Sequence, residues 1–396
     1  MKNKHFFIIG GGDLQADLVL SVKKDFIAHV FDYNENCFCK DLADYFHPIS
    51  IADKEKILEL AIKFNIVGVA TAATELGNLT ACYIGEKLNL GTNSYECAKN
   101  TTDKSLMKKV FEKHNINHAK YFILKDEKDL EQITQFPIII KPSDRSAGRG
   151  VVKVFDKENL KKRYHEAKDL SYNKIVLAEE VLKGRQFSVE TISSHGKHQI
   201  VAITEEYLRE GEFADDFLET QHLVPARVTN CEKNFIENEI IKVLNAFGIN
   251  FGASHIEMKF ETDGGGEDFE KCKLSIIEIA TRVGGWRDVL VYHSYDIDYL
   301  QLLIQSSLKQ ELKKVNTKAE NFCLVKMIFA KEDYEFYKKL KALKPQMIVK
   351  ERIYVKNDEE FSYSSSLMDS KGYYYLKISK DEDPEIYINC SELLSV

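Results

Sequence analysis

A β-forming run, Pro137-Ile138-Ile139-Ile140, ends in Lys141 and opens into Pro142-Ser143-Asp144-Arg145-Ser146-Ala147-Gly148-Arg149-Gly150-Val151. A lysine fixed at a strand end, beside small residues whose backbone N–H groups lack side-chain cover, suits phosphate: it offers a point charge and a concave ring of donors. That chemistry is nucleotide-triphosphate binding. Lysine-proline followed by a Gly/Ser turn also serves plain surface hairpins, so the surroundings must decide. The lysine precedes the glycines and no helix follows at once, which sets this loop apart from Gly-x-x-x-x-Gly-Lys-Ser/Thr.

Acids with matching properties lie downstream. In His255-Ile256-Glu257 and Glu278-Ile279-Ala280-Thr281-Arg282, polar groups alternate with apolar ones, so on strands they point into one cleft. Two buried carboxylates are costly without a counter-cation. Mg²⁺ bridging Glu257, Glu278 and phosphates would supply one; pairing with Arg282, Arg287 or Lys141 in a structural network is the alternative. Between loop and acids, Val176-Leu177-Ala178-Glu179-Glu180-Val181-Leu182-Lys183-Gly184 is an apolar strand closed by two acids. It suits an adenine edge, with one acid on the amino group, or is simply a strand running into a turn. Gln186, Ser188 and Glu190 then share one face, while Phe187 and Val189 face a core.

These residues need a scaffold that brings distant strands together. The first hundred residues alternate strands (Phe6–Ile9, Ala28–Asp32, Val67–Ala70) with helices (Leu14–Lys23, Lys54–Phe64), the pattern of a parallel βαβ sheet. Gly10-Gly11-Gly12 follows the first strand. Asp32 stands where a ribose-binding acid belongs in a dinucleotide site, but Gln15 replaces the third glycine of that fingerprint. The turn suits a small anionic substrate approaching the helix N-terminus at Gly12, or is merely a tight turn. Glu75, after Thr74, fits either a ligand-facing acid or a first-turn helix acid.

A boundary falls near Asn100, and Thr102 or Asp103 caps a helix carrying Lys104. Strands Ala119–Leu124, Pro137–Lys141, Val151–Phe155 and Ile175–Glu180 with helices Glu127–Gln135 and Lys157–Tyr172 form a compact α+β unit. Strands Gln186–Ser193, His198–Glu206, Phe251–Phe260 and Leu274–Thr281 form a larger antiparallel sheet, broken by Gly264-Gly265-Gly266 and flanked by helices Lys233–Phe247 and Tyr295–Leu308. After about Leu312 the pattern (Phe322–Ala330, Met347–Val355, Gly372–Ile378) is that of a small β-rich tail domain.

With 396 residues, 44% hydrophobic, 30% charged and a net charge of −7, the chain reads as two or three globular domains, with nucleic acid and membrane excluded as partners. The N-terminal apolar run is too short for a signal or a span. The eight cysteines show no zinc spacing and suit reduced core thiols of a cytoplasmic protein.

Taken in order, Lys104, Lys141, the Ser143–Gly150 loop, Glu179-Glu180, Glu257 and Glu278-x-x-x-Arg282 resemble the ATP-grasp superfamily of carboxylate–amine or carboxylate–thiol ligases, over residues 1 to about 310. Within it the pattern looks like L-amino-acid ligases and, more distantly, formate-dependent glycinamide ribonucleotide transformylase. The resemblance implies an ATP-grasp fold of α/β and α+β class: a Rossmann-like pre-ATP-grasp domain over 1–100, an ATP-grasp domain over 101–312 with a lid at about 118–182, and a β-rich domain over 313–396.

It further implies that Lys104 and Lys141 contact ATP phosphates, closed over by Ser143, Ser146, Ala147, Gly148, Arg149, Gly150 and Val151. Glu179, Glu180, Val181 and Leu182 would line adenine, with Gln186 on the ribose. Glu257 and Glu278 would hold Mg²⁺. Arg282, with Lys141, would act in catalysis by stabilising the acyl phosphate or tetrahedral intermediate. Gly12, Glu75, His222 and Arg287 would face the substrates. Such enzymes phosphorylate a small-molecule carboxylate from ATP and let an amine displace the phosphate; a homodimer is left open.

Two positions depart from the family pattern. Gln186 stands where a ribose-binding glutamate is common, and Ala280 where an asparagine often ligates metal. These motivate an alternative, a non-catalytic ATP-binding sensor or regulatory protein. A nicotinamide enzyme using Gly10–Gly12 is a third reading, which the missing third glycine opposes.

Overall fold

The computed structural model describes residues 3–209, 217–262, 272–355, 361 and 366–389. The Gly264-Gly265-Gly266 break lies outside them. The N-terminal unit is a parallel sheet of β1 (His5–Ile9), β2 (Ile27–Phe31), β3 (Tyr45–His47) and β4 (Gly68–Ala70), in the order β3-β2-β1-β4. Helices α1 (Ala16–Val22), α2 (Lys54–Phe64) and α3 (Glu75–Leu88) connect and cover it. Apolar residues on both faces of β1 explain the layering: Phe6 and Ile8 join one core cluster, Phe7 and Ile9 another.

Helix α4 (Tyr95–Asn100) leads into α5 (Lys104–Lys113), whose first amides are capped by the Asp103 side chain. This cap sets where the helix starts and so where Lys104 and Lys108, one turn apart, project. A second, four-stranded antiparallel sheet follows: β5 (Tyr121–Leu124), β6 (Ile138–Pro142), β7 (Val152–Val154) and β8 (Val176–Glu180), in the order β5-β8-β6-β7, with α6 (Lys157–Leu170) packed on it. The segment expected as a helix at 127–135 is a short 3₁₀ turn, Glu127–Gln132.

The body is one eight-stranded antiparallel sheet. Its strands are β9 (Arg185–Ser194), β10 (Lys197–Leu208), β11 (Glu219–Val224), β12 (Gly252–Glu261), β13 (Lys273–Ala280), β14 (Asn321–Met327), β15 (Ile348–Ile353) and β16 (Gly372–Ser379), ordered β13-β12-β9-β10-β11-β14-β16-β15. Helix α7 (Asn230–Ala246) lies over one face; α8 (Arg287–Tyr295) and α9 (Tyr299–Ser307) pack on the other. Helices α10 (Lys331–Leu343) and α11 (Glu385–Ile388) accompany the last strands. The C-terminal strands therefore do not form a sheet of their own, because β14 pairs directly with β11 and extends the body. Among the described residues no helix is long and apolar enough to cross a membrane.

Polar contacts fix the N-terminal unit to the body. Asn78 Nδ2 donates to Thr281 Oγ1 at 2.7 Å, Thr101 meets the same hydroxyl at 3.0 Å, and Ala72 bridges to Val283. On the far side Lys350 of β15 pairs with Asp17 of α1, beside Asp288 of α8. Burial, then the negative Asp17, push the Asp288 carboxyl up to about 7, with Lys350 opposing.

Folding thus favours the protonated acid. Its contribution is complete below the ordinary value of 3.8 and is lost as pH rises through about 7. We expect Asp288→Asn to leave the thermal midpoint unchanged near pH 4 and to raise it by about 2–4 °C at pH 8. Equal losses at both pH values would contradict the assignment.

Candidate functional site

All three sheets face one cavity of about 340 Å³. Lys104, at the first turn of α5, reaches into it: its Nζ lies 2.8 Å from Glu278 Oε2 and donates to Arg145 O at 2.8 Å. Burial would depress the Lys104 ammonium, but Glu278 raises it and keeps it charged. Lys141, on β6, also borders the cavity, and its Nζ lies 2.8 Å from Glu179 Oε2. Lys108 Nζ approaches the other oxygen of Glu179 at 3.1 Å. Burial alone would raise the Glu179 carboxyl, yet Lys108 and Lys141 hold it at about 2.

This corrects one expectation. Glu179 touches the cavity, but its carboxylate balances two buried ammoniums rather than being free for an adenine amino group. Glu180 accepts the backbone N–H of Lys120 at 3.0 Å, and Leu182 lines the wall, whereas Val181 does not reach it.

In the β6–β7 loop Ala147, Gly148 and Gly150 all adopt positive φ (58°, 70° and 75°), so the chain curls tightly. Arg145, Ser146, Ala147, Gly148 and Val151 border the cavity. Three members expected there frame the loop instead. Ser143 is buried, its Oγ within 2.8 Å of Asn173 Nδ2 and its carbonyl accepting Lys104 N–H. Arg149 is exposed and folds back on Ser146, and Gly150 packs against Leu170 and Pro142.

Glu257 and Glu278 stand directly opposite each other on β12 and β13, both facing the cavity. Burial first, then the neighbouring Glu278, push the Glu257 carboxyl up to about 8, while Lys104 holds Glu278 below its ordinary value despite burial. Opposed acids at a cavity wall, one of them held protonated by burial and by its neighbour, are a donor set that fits Mg²⁺. His255 touches Glu190 at 2.6 Å and Glu257 at 3.2 Å. Burial would lower its ring, but Glu190 raises it to about 10, so it is an imidazolium.

A second charge network borders the same cavity. Arg282 binds Glu75 through Nε at 3.1 Å and through Nη2. Glu75 is therefore both a first-turn acid of α3, capped by Thr74, and a partner of Arg282 in the crevice. Arg287, expected to face the substrates, is 2% exposed: it donates to Glu206 at 2.6 Å, Ser188 Oγ at 3.1 Å and His222 Nδ1 at 2.5 Å. Since arginine only donates, His222 is neutral and donates from Nε2 to Glu219 at 2.8 Å.

Glu206, Glu219 and His222 bring donor atoms within 4.8 Å of one another, but Arg287 and Gln186 already satisfy that group. Gln186 turns its amide onto Glu206 and Glu219 at 3.0 and 3.3 Å, so its expected ribose contact would require it to leave two acids.

Gly12 is the remaining correction. It is exposed and outside the cavity wall; its carbonyl accepts from Cys39 and Gln15, and Gly11 N–H is held by Asp32 at 2.9 Å. Its neighbours Asp13 and Leu14 line the cavity instead. Sequence reasoning also missed Lys108, Glu206, Glu219, His255 and Trp286. The i, i+4 spacing of Lys104 and Lys108 was a usable signal; Glu206 and Glu219 carried none.

We expect Glu179→Gln to leave Lys108 and Lys141 buried without a counter-charge and to destabilise the protein by about 3–5 kcal/mol in denaturant unfolding. A loss under ~1 kcal/mol would mean that the three groups are not coupled.

Comparison with known proteins agrees with this geometry. Residues 134–289 match the ATP-grasp domain family. The alanine–anticapsin ligase of Bacillus subtilis strain 168 is 24% identical over 307 residues, which are 67% of this chain and 62% of that protein; the chain thus spans less than two thirds of that relative's length. An L-amino acid ligase from Bacillus licheniformis superposes with a TM-score of 0.80 at 18% identity, covering 100% of this chain and 98% of that one. N5-carboxyaminoimidazole synthetase from Staphylococcus aureus, complexed with ADP, gives 0.77 at 16%, covering 99% and 97%. These structures share the fold.

Proposed function

We propose that this chain, which has the ATP-grasp fold and carries an ATP-grasp domain over residues 134–289, is an ATP- and Mg²⁺-dependent ligase joining a carboxylate to an amine. The observation that carries this is the meeting of Lys104, Lys141, Glu257 and Glu278 in one cavity, with Lys104 in contact with Glu278. Basic residues from two early segments and acids from two late strands converge where a triphosphate and its cation need both signs.

In this reading Lys104 and Lys141 bind phosphate oxygens, and the amides around Ser146–Gly148 cover them. Glu257 and Glu278 would hold Mg²⁺, which when bound would supply charge neutralisation for phosphoryl transfer. A substrate carboxylate oxygen attacks the terminal phosphorus and ADP leaves. The amine then attacks the acyl carbon, and phosphate leaves. Arg282, oriented by Glu75, is aimed at the charge that develops on the carbonyl oxygen. Phosphoryl transfer of this kind depends on positioning and charge neutralisation more than on covalent chemistry by the protein.

Purified protein given ATP, Mg²⁺ and a panel of carboxylates and amines should release phosphate only when both substrates are present. Glu257→Gln separates binding from folding. The amide replaces an acid that burial and Glu278 already hold protonated at neutral pH, so its thermal midpoint should stay close to wild type, while turnover falls by about 100-fold or more. Normal kcat in this variant would show that Glu257 takes no part.

A further inference from the structure

Part of the cavity wall is assembled from three distant parts of the chain. Asp13 and Leu14 follow the glycine turn, Trp286 precedes α8, and Tyr354, Leu367 and Tyr373 come from the C-terminal strands and their connection. Asp13 Oδ1 accepts the backbone N–H of Leu14 at 2.9 Å. Its Oδ2 accepts the hydroxyls of Tyr373, at 2.8 Å, and of Tyr354. Burial and then the carboxylate itself push both phenols up, so they are neutral donors. They steady the negative charge without cancelling it. Among the described residues no lysine, arginine or histidine pairs with Asp13; Arg352, whose charge is felt at both hydroxyls, lies over the Phe38 ring at 5.2 Å.

Aromatic rings stand around this carboxylate. The Trp286 indole lies edge-on to Tyr373 with centroids 5.8 Å apart and touches the His222 ring at 5.9 Å. Trp286 is also held at φ 65°, in the left-handed region that a bulky residue avoids, and its Nε1–H is buried with no acceptor among the described residues. Backbone strain on a side chain of a cavity wall is characteristic of a ligand site. One fixed carboxylate among Trp and Tyr rings recognises an organic ammonium; a bare metal ion would ask for more oxygen ligands than this corner offers.

The basic side chains of Lys104, Lys141 and Arg282 and the acid of Asp13 thus border the same cavity. In the ligase reading, on which this step rests, the attacking amine must shed its proton, so a carboxyl group that fixes an ammonium is of no use to it. The carboxylate-supplying substrate has no such requirement.

We propose that Asp13, braced by Tyr354 and Tyr373 beside Trp286, is a cation subsite that holds a non-reacting ammonium of the carboxylate-supplying substrate. The C-terminal third of the chain thereby takes part in substrate choice. That ammonium sits either α to the carboxylate or on the side chain, and the chemistry of recognition is the same.

The test is binding without turnover. Protein with ADP and Mg²⁺ is titrated calorimetrically with L-leucine against 4-methylpentanoate, and with L-lysine against L-norleucine. We expect at least one pair to favour the ammonium-bearing member by tenfold or more, the first pair reporting an α-ammonium and the second a side-chain one. That preference should shrink to within threefold in Asp13→Asn. Tyr354→Phe should weaken it several-fold, and serves alone if Asp13→Asn does not fold. No preference in either pair, or one that survives both substitutions, overturns the proposal. Failure of the ligase reading would show separately, as absence of ADP binding or of phosphate release.

Discussion

Two carboxylates facing each other across an antiparallel strand pair are the constraint on which the rest of the structure depends. Glu257 and Glu278 occupy opposite positions on β12 and β13, and hydrogen bonding of the ladder leaves neither free to move away. Lys104 relieves one of them, and the other is left with its charge suppressed. The elements around this pair serve either to deliver a cation to it or to keep other charges off it. The Asp103 cap sets the start of α5 and aims Lys104. The β6–β8 pairing places Lys141, and Glu179 keeps that lysine from being an isolated buried ammonium.

The same logic separates closed networks from open ones. Arg287 is surrounded by Glu206, Glu190, Ser188 and His222, all in place and all buried, so its charge is answered within the protein. Lys108 and Lys141, by contrast, share the single carboxylate of Glu179, which leaves positive charge at the cavity wall where Lys141 stands. Glu257 and Asp13 differ: each is a cavity-wall acid without full cationic compensation among the described residues. Buried ion pairs contribute little net stability; their use here is to hold side chains in fixed geometry so that the open positions are well defined.

Much of this was legible in the sequence because it rests on local rules. Alternation placed Glu257 and Glu278 on one face of their strands, and small residues marked the phosphate loop. Cap chemistry marked the start of α5. What was not legible depends on partners far along the chain. The Glu179-Glu180 pair shows two acids with opposite orientations, and which one faces Lys108 and Lys141 is settled by β6–β8 register. The glycine turn pointed to Gly12, but the functional neighbour is Asp13, and its partners Tyr354 and Tyr373 lie 341 and 360 residues away. The C-terminal strands carry the composition of a separate β unit; that they extend the central sheet follows from β11 offering an edge.

Crystallisation with ADP and Mg²⁺ tests the central claim most directly. The account predicts a metal ion in contact with Glu257 and Glu278, phosphate oxygens on Lys104 and Lys141, and the loop amides of Ser146–Gly148 turned towards them. Nucleotide bound elsewhere, or in this cavity with Glu257 and Glu278 turned away from any cation, would contradict it.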